Sequence, residues 1–217
     1  MSGPEDLVAA ARLRGVRDER LLGAIATVPR AAFVPAQSID LGYRDRPLPI
    51  SHRQVTTQPS LVAVMVEALR LTGTERVLEV GTGYGWQTAL LAKLAREVWS
   101  IELWDDMVAA AERSLEAGDI ANVQLVVGDG TLGLPEHAPF DAIVITAAFP
   151  EVPPPLVEQL VPGGRLVQPV GRGGEEDVTL FDKRGGELVL KRWLIPASFV
   201  RLYGAHGYPL SEAPASP

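Results

Sequence analysis

The chain has 217 residues, 47% of them hydrophobic and none of them cysteine. It can bury a core of its own and uses no disulfide or thiolate chemistry. A formal net charge of −7 without any lysine/arginine run argues against a phosphate-gripping nucleic-acid face.

Residues 4–29 read as helical, with an interruption at Gly15. Prolines then punctuate an irregular stretch over 36–60. "SLVAVMVEALRL" (60–71) predicts a helix with Ser60 at its N-cap. From there strands and helices alternate. "RVLEV" (76–80) is a strand and "WQTALLAKLA" (86–95) a helix. "EVWSIE" (97–102) is a strand and "DDMVAAAERSLEAG" (105–118) a helix. Strands follow at 123–129 and 140–146, then a short helix at 153–161 and a strand at 164–170. This alternation predicts a mostly parallel, doubly wound α/β sheet. Over 177–195, two strand-like runs flank "KRGG", which predicts an antiparallel hairpin at the sheet edge. Residues 208–217 are expected as a loose tail. The whole reads as one domain: substrate-side segments over 1–60, a ligand-binding core over 61–170, and a closing segment over 171–207.

No apolar run reaches the ~18 residues of a membrane span, and no leader pattern is seen, so a soluble, cytoplasmic protein is expected. His52, His137 and His206 lack ligand spacing, and no metal site is expected. No apolar stripe is left unassigned, which favours a monomer.

"VLEVGTGYGWQT" (77–88) carries the chemistry. Gly81, Gly83 and Gly85 follow the first strand of the alternating region and open its first helix. In such a sheet ligands bind at the carboxyl ends of strands. Read blandly, the glycines only make a tight turn. Their spacing is not the dinucleotide G-x-G-x-x-G, since Trp86 stands where its third glycine would fall. No G-x-x-x-x-G-K-[ST] loop is present either. Instead Glu79, two residues before the first glycine, favours a cationic ligand, directly or through water. Glu102 ends the second strand, 21 residues after Gly81, where a carboxylate can accept from both ribose hydroxyls. Asp129 ends the third, where it could accept from an adenine amino group. Each acid alone also fits a solvated strand end. Together they describe a cation, a ribose and an adenine without phosphate, which is S-adenosyl-L-methionine.

The pattern resembles the class I methyltransferases with their Rossmann-like fold. "RAAFVP", "YRDRPLPI", "QPS", "VLEVGTGYGWQTALLA", "NVQLVVGDG", "APFDAIVITAA", "PPPLVEQLVPGGRLVQPVG" and "FVRLYG" resemble the protein-L-isoaspartate O-methyltransferases, over about residues 28–204. The resemblance implies methylation of the free carboxylate of L-isoaspartyl residues, with S-adenosyl-L-homocysteine as product. The ester then collapses to a succinimide, so damaged proteins or peptides are the implied partners, with no nucleic acid or membrane. It implies a cofactor set of Glu79, Gly81, Thr82, Gly83, Tyr84, Gly85, Glu102, Leu103, Asp129, Gly130 and Thr146. On the substrate side it implies Thr56, Thr57, Gln58 and Ala147, with Thr57 in the catalytic position because its hydroxyl stands where the family has serine. A carboxylate is ionised at neutral pH and is its own nucleophile, so no general base is required. Ser51 and Arg53 replace usual glycines, Val55 a usual threonine and Arg201 a usual proline. These departures fall on the substrate side. Arg53 reads either as a cation beside the substrate or as loop surface. A methyltransferase for another carboxylate and a non-catalytic binding module remain open as alternatives.

Overall fold

In the computed structural model, which describes residues 3–172 and 174–214, the N-terminal segment forms two helices, α1 (Pro4–Leu13) and α2 (Glu19–Thr27). They part around Gly15, whose φ of +94° suits the left-handed region. Asp18 then caps α2 by accepting from the backbone N–H of Arg20 at 2.9 Å. Leu7, Ala11, Leu21, Leu22 and Ile25 are buried and join a core cluster with α3 (Pro59–Ala68). Between the helices and α3, strands β1 (Leu48–Pro49) and β2 (Val55–Thr56) pair as a small antiparallel ribbon. Ser60 is not the cap of α3. It lies inside the first turn, and the acceptor comes from a distant loop: Asp45 accepts from Ser60 N and Oγ, each at 2.8 Å, and from Gln58 Nε2 at 2.9 Å. A local reading finds the serine but not the carboxylate that folds back onto it.

The remaining strands make one sheet. They are β3 (Arg76–Val80), β4 (Glu97–Glu102), β5 (Val123–Val127), β6 (Phe140–Ile145), β7 (Leu160–Val170), β8 (Glu176–Arg184) and β9 (Glu187–Ala197). Helices α4 (Trp86–Leu94), α5 (Asp105–Ala117) and α6 (Pro154–Gln159) connect them. The spatial order is β5-β4-β3-β6-β7-β8-β9. The first five pair in parallel, and β8 and β9 are antiparallel. This is the expected doubly wound sheet with an antiparallel hairpin at one edge. Its turn is Gly185–Gly186, both at positive φ. Successive residues point to opposite faces. Val77, Val98, Ala142 and Val144 pack with α1–α4 in one cluster. Leu78, Ile101, Ile143 and Ile145 join Leu156 and Leu166 in the other. Both faces are covered, as a parallel sheet requires.

The chain leaves β3 for β4 and β5, then returns to β6 on the other side of β3. Strand order therefore reverses between β3 and β6, and a crevice opens there at the carboxyl ends of the strands. The closing segment folds back across it. Ala148 N donates to Val200 O at 2.7 Å, and Leu202 N to Ala148 O at 2.9 Å. The expected loose tail is anchored at its start: Tyr208 N donates to Leu202 O at 2.8 Å, and its hydroxyl to Arg172 O at 2.8 Å. Tyr208 also packs edge-on against Phe149. Residues 215–217 of that expectation lie outside the described residues.

Candidate active site

A cleft lies at the switch point, with two walls of different origin. One wall is made of strand ends. Gly81 (φ +96°) leaves β3 in the left-handed region, and a Cβ there would overlap Thr146 Oγ1. Only glycine lets the turn press against β6. Thr146 fastens it, its Oγ1 donating to Gly81 O at 2.9 Å. Gly83 (φ +55°) turns its N–H onto Glu102 Oε2 at 2.9 Å. Glu102, 5% exposed, accepts at Oε1 from Leu103 N at 2.8 Å. Burial raises its pKa, opposed by those backbone N–H groups. A carboxylate has about four lone-pair sites, so acceptor capacity remains toward the cleft. Thr82, Tyr84, Gly85, Leu103, Gly130, Thr146 and Ala147 complete the expected residues on this side.

Two expected cofactor ligands do not line the cleft. Glu79 is fully buried beneath the turn. It accepts from Gln87 Nε2 at 2.9 Å, Thr88 Oγ1 at 2.5 Å and Ser100 Oγ at 2.6 Å. Burial, aided by the nearby Glu102 charge, pushes its pKa up to about 7 against those hydrogen bonds. It acts on the cleft through the hydrogen-bonded chain Ser100–Thr82 and not by contact. Asp129 is also turned away. Its Oδ1 accepts from Thr131 N and Oγ1, and its Oδ2 from Ala205 N at 2.7 Å. Its carboxylate fastens the closing segment, which a strand-end position alone cannot reveal.

The other wall is the strap formed by the β1–β2 ribbon and its turn. Ile50, Gln54, Val55, Thr56 and Thr57 line the cleft from this side. The turn places both His52 and Arg53 at φ +53°. His52 stacks on Trp104 with ring centroids 4.7 Å apart, and its Nε2 lies 2.7 Å from Asp106 Oδ1. Ser51 Oγ lies 3.2 Å from Tyr84 Oη. The strap is thus pinned across the glycine turn and the loop after β4. Arg30, 1% exposed, braces it from behind. It donates to Gly42, Arg44 and Arg46 carbonyls and to Thr56 Oγ1 at 2.8 Å. Burial lowers the Arg30 pKa to about 10, with Asp45 opposing.

These contacts sort the expected substrate residues. The Thr56 hydroxyl also accepts from Leu48 N, so it is committed to the ribbon. Gln58 is held by Asp45 and borders an adjoining groove, not the cleft. Thr57 lines both cavities, and its hydroxyl has no hydrogen-bond partner among the described residues. Arg53 is exposed and lines neither, which is the loop-surface reading. Arg201 does line the cleft, paired with Glu212 Oε2 at 3.2 Å and lying over Tyr208.

Trp104 and Met107 line the cleft just beyond Glu102, and neither was among the expected residues. An aromatic and an apolar residue following a ribose-type acid were the available signal for an adenine face. Val200, Leu202 and Tyr203 also line it, brought in by the closing segment.

The donor set fits an adenosyl sulfonium group. Glu102 and Gln87 supply acceptors, and Gln87 Oε1 is buried without a partner among the described residues. All the hydrogen bonds found for Arg30, the buried cation of the cleft, go to protein oxygens, so it is not presented as a phosphate clamp.

A family model described as "Protein-L-isoaspartate(D-aspartate) O-methyltransferase (PCMT)" matches residues 2–207. A protein-L-isoaspartate O-methyltransferase of Anaeromyxobacter dehalogenans (strain 2CP-C) is 54% identical over 191 residues, 87% of this chain and 91% of that protein. One from Methanoculleus marisnigri is 46% identical over 200 residues, 91% of this chain and 89% of the other. A solved protein-L-isoaspartate O-methyltransferase superposes with a TM-score of 0.83 at 30% identity, over 94% of this chain and 67% of that one. A Plasmodium falciparum protein, solved in complex with S-adenosyl-L-homocysteine, shares the fold at 21% identity and a TM-score of 0.80, over 94% of this chain and 99% of that one. With the glycine turn, the strand-end acid and the Thr57 strap in one cleft, these matches establish that the chain belongs to the protein-L-isoaspartate(D-aspartate) O-methyltransferase family.

Proposed function

We infer that the chain methylates the free carboxylate of L-isoaspartyl residues, using S-adenosyl-L-methionine and releasing S-adenosyl-L-homocysteine. The observation that carries the residue-level reading is Thr57. It stands between the strand-end cleft and an open groove, with a hydroxyl that no described residue engages.

When bound, the cofactor supplies an electrophilic methyl group on a positively charged sulfur. Glu102 would accept from its ribose, Trp104 and Met107 would cover its adenine, and the glycine turn would hold its methionyl part. Thr57 Oγ donates to one oxygen of the isoaspartyl carboxylate and leaves the other free to attack. No residue has to remove a proton, because the nucleophile arrives ionised. The chain's contribution is alignment, which is worth up to ~7–11 kcal/mol in well-oriented reactions. The methyl ester makes the carboxyl a better target for the neighbouring backbone amide, so succinimide formation and repair follow. One chain supplies every residue named, so a monomer suffices. We place this repair in the cytoplasm.

Paired peptides test the reading, one with isoaspartate and one with normal aspartate, at saturating cofactor. Placement of a hydrogen-bonded group can discriminate by ~10⁴, and turnover of the aspartyl peptide is expected to be negligible. Comparable rates on both would sink the substrate assignment. Thr57→Val should lower kcat/KM roughly 10- to 100-fold, the equivalent of ~1.5–3 kcal/mol for a hydrogen bond to a charged group. Cofactor affinity should stay unchanged, and Thr57→Ser should restore most activity. A fully active Thr57→Val removes Thr57 from the site.

A further inference from the structure

The groove adjoining Thr57 has an electrostatic character of its own. It shares Val55, Thr57, Thr146 and Val200 with the cofactor cleft. One side is the end of β9 and the chain beyond it, residues 195–200. Pro47, Gln58, Leu61 and Arg14 complete the lining. β9 is the outermost strand of the sheet, so an extended segment can lie along it. The lining is otherwise uncharged: Arg14 is the one ionisable side chain among the described residues that line it.

Arg14 follows the last turn of α1 and is exposed. Its guanidinium makes no hydrogen bond or ion pair with any described residue. Asp45, which holds Gln58 of the lining, is engaged by Gln58 and Ser60. The groove therefore presents one uncommitted cation on a molecule of net charge −7. Two other arginines on this side differ in placement. Arg201 faces the cleft and is paired with Glu212, and Arg53 lines neither cavity.

We propose that this groove holds the residues flanking the isoaspartate, and that Arg14 selects among damaged sites by favouring an acidic side chain close to it in sequence. This rests on the reading of the function above. A segment entering beside Thr57 must continue along the groove, because the cofactor cleft occupies the other direction. Its side chains then pass Arg14. A glutamate there gains an ion pair, and a lysine meets a like charge. Aspartate- and glutamate-rich loops would be preferred repair targets, and basic ones poor ones.

The test uses the full chain and hexapeptides with one isoaspartate. Glutamate, glutamine or lysine is placed one, two or three residues to either side. At the position that passes Arg14, KM should be lowest for glutamate and highest for lysine, about 3- to 10-fold apart at low salt, as exposed ion pairs allow. The spread should shrink as ionic strength rises. The effect should fall on KM and not on kcat. Arg14→Gln should flatten the series, and Arg14→Glu should invert it toward lysine. Thermal unfolding checks that both variants are folded. Equal KM across the wild-type series overturns the proposal, as does a glutamate preference that survives in Arg14→Gln. Failure of the wild type to methylate any isoaspartyl peptide is a different outcome. It refutes the assigned function itself, and this proposal with it.

Discussion

The two walls of the cleft are built by opposite means. The strand-end wall comes from consecutive segments of the sheet and is held by contacts among them. Gly81 is pressed on Thr146, Glu102 holds Gly83 and Leu103, and Glu79 is sealed beneath by three donors. The strap wall comes from residues 50–57, pinned by long-range contacts to Trp104, Asp106 and Tyr84. It contains two left-handed residues that are not glycine, and a hydroxyl without a partner among the described residues. The difference teaches that the wall expected to meet the cofactor has little room for a larger or differently bonded side chain at Gly81 and Glu79. The strap wall leaves the Thr57 hydroxyl without a partner among the described residues, and its Arg53 and Val55 side chains are exposed.

Four substitutions can break or sharpen this contrast. Gly81→Ala should be the most damaging. Left-handed backbone costs about 1–2 kcal/mol, and overpacking against Thr146 adds ~1–3 kcal/mol. Denaturant unfolding should show a loss of about 2–5 kcal/mol; a neutral result would mean the wall has slack. Glu102→Ala should weaken S-adenosyl-L-methionine binding by about 1.5–3 kcal/mol in calorimetric titration, the range for hydrogen bonds to a charged group. Unchanged affinity would remove Glu102 from the site.

Glu79 offers a pH test of the sealed wall. Its folded pKa is raised to about 7 from an ordinary value of 4.5. Between those values the folded state binds more protons than the unfolded state, so stability falls as pH rises through the window and levels off above it. Glu79→Gln has no such titration. The melting temperature of the wild type relative to the variant should therefore drop between pH 5 and 7.5. A constant difference would show that Glu79 is ionised throughout, held so by its three donors.

The smallest effect belongs to the strap. Arg53→Gly should raise stability by at most about 1 kcal/mol, since relief of left-handed strain is partly offset by glycine's greater freedom in the unfolded chain. That corresponds to a melting shift of at most ~2–4 °C for a chain of this size. A clear loss of stability would reveal that the Arg53 side chain braces the strap, making the two walls less different than they look.

Much of the fold was legible from local pattern. The alternation of strands and helices over 76–170 carries its own periodicity, and the "KRGG" hairpin its own turn chemistry. The glycine turn and Glu102 could be placed because both sit at strand ends, where position in sequence decides position in space. Their arrangement follows from one strand–helix–strand unit, β3–α4–β4. What the sequence did not determine were the partners of polar groups that reach across the chain. Asp129 lies two residues past the end of β5, and its carboxylate serves Ala205, 76 residues away. Thr56 and Thr57 are neighbours of the same type, and the arrival of Arg30 and Leu48 commits the Thr56 hydroxyl, while the Thr57 hydroxyl has no partner among the described residues. Asp45, not Ser60, supplies the acceptor at the start of α3. A hydrogen bond is satisfied by whichever group the packed chain brings within reach. That choice is made by tertiary structure, because no short-range pattern encodes which distant segment will fold back.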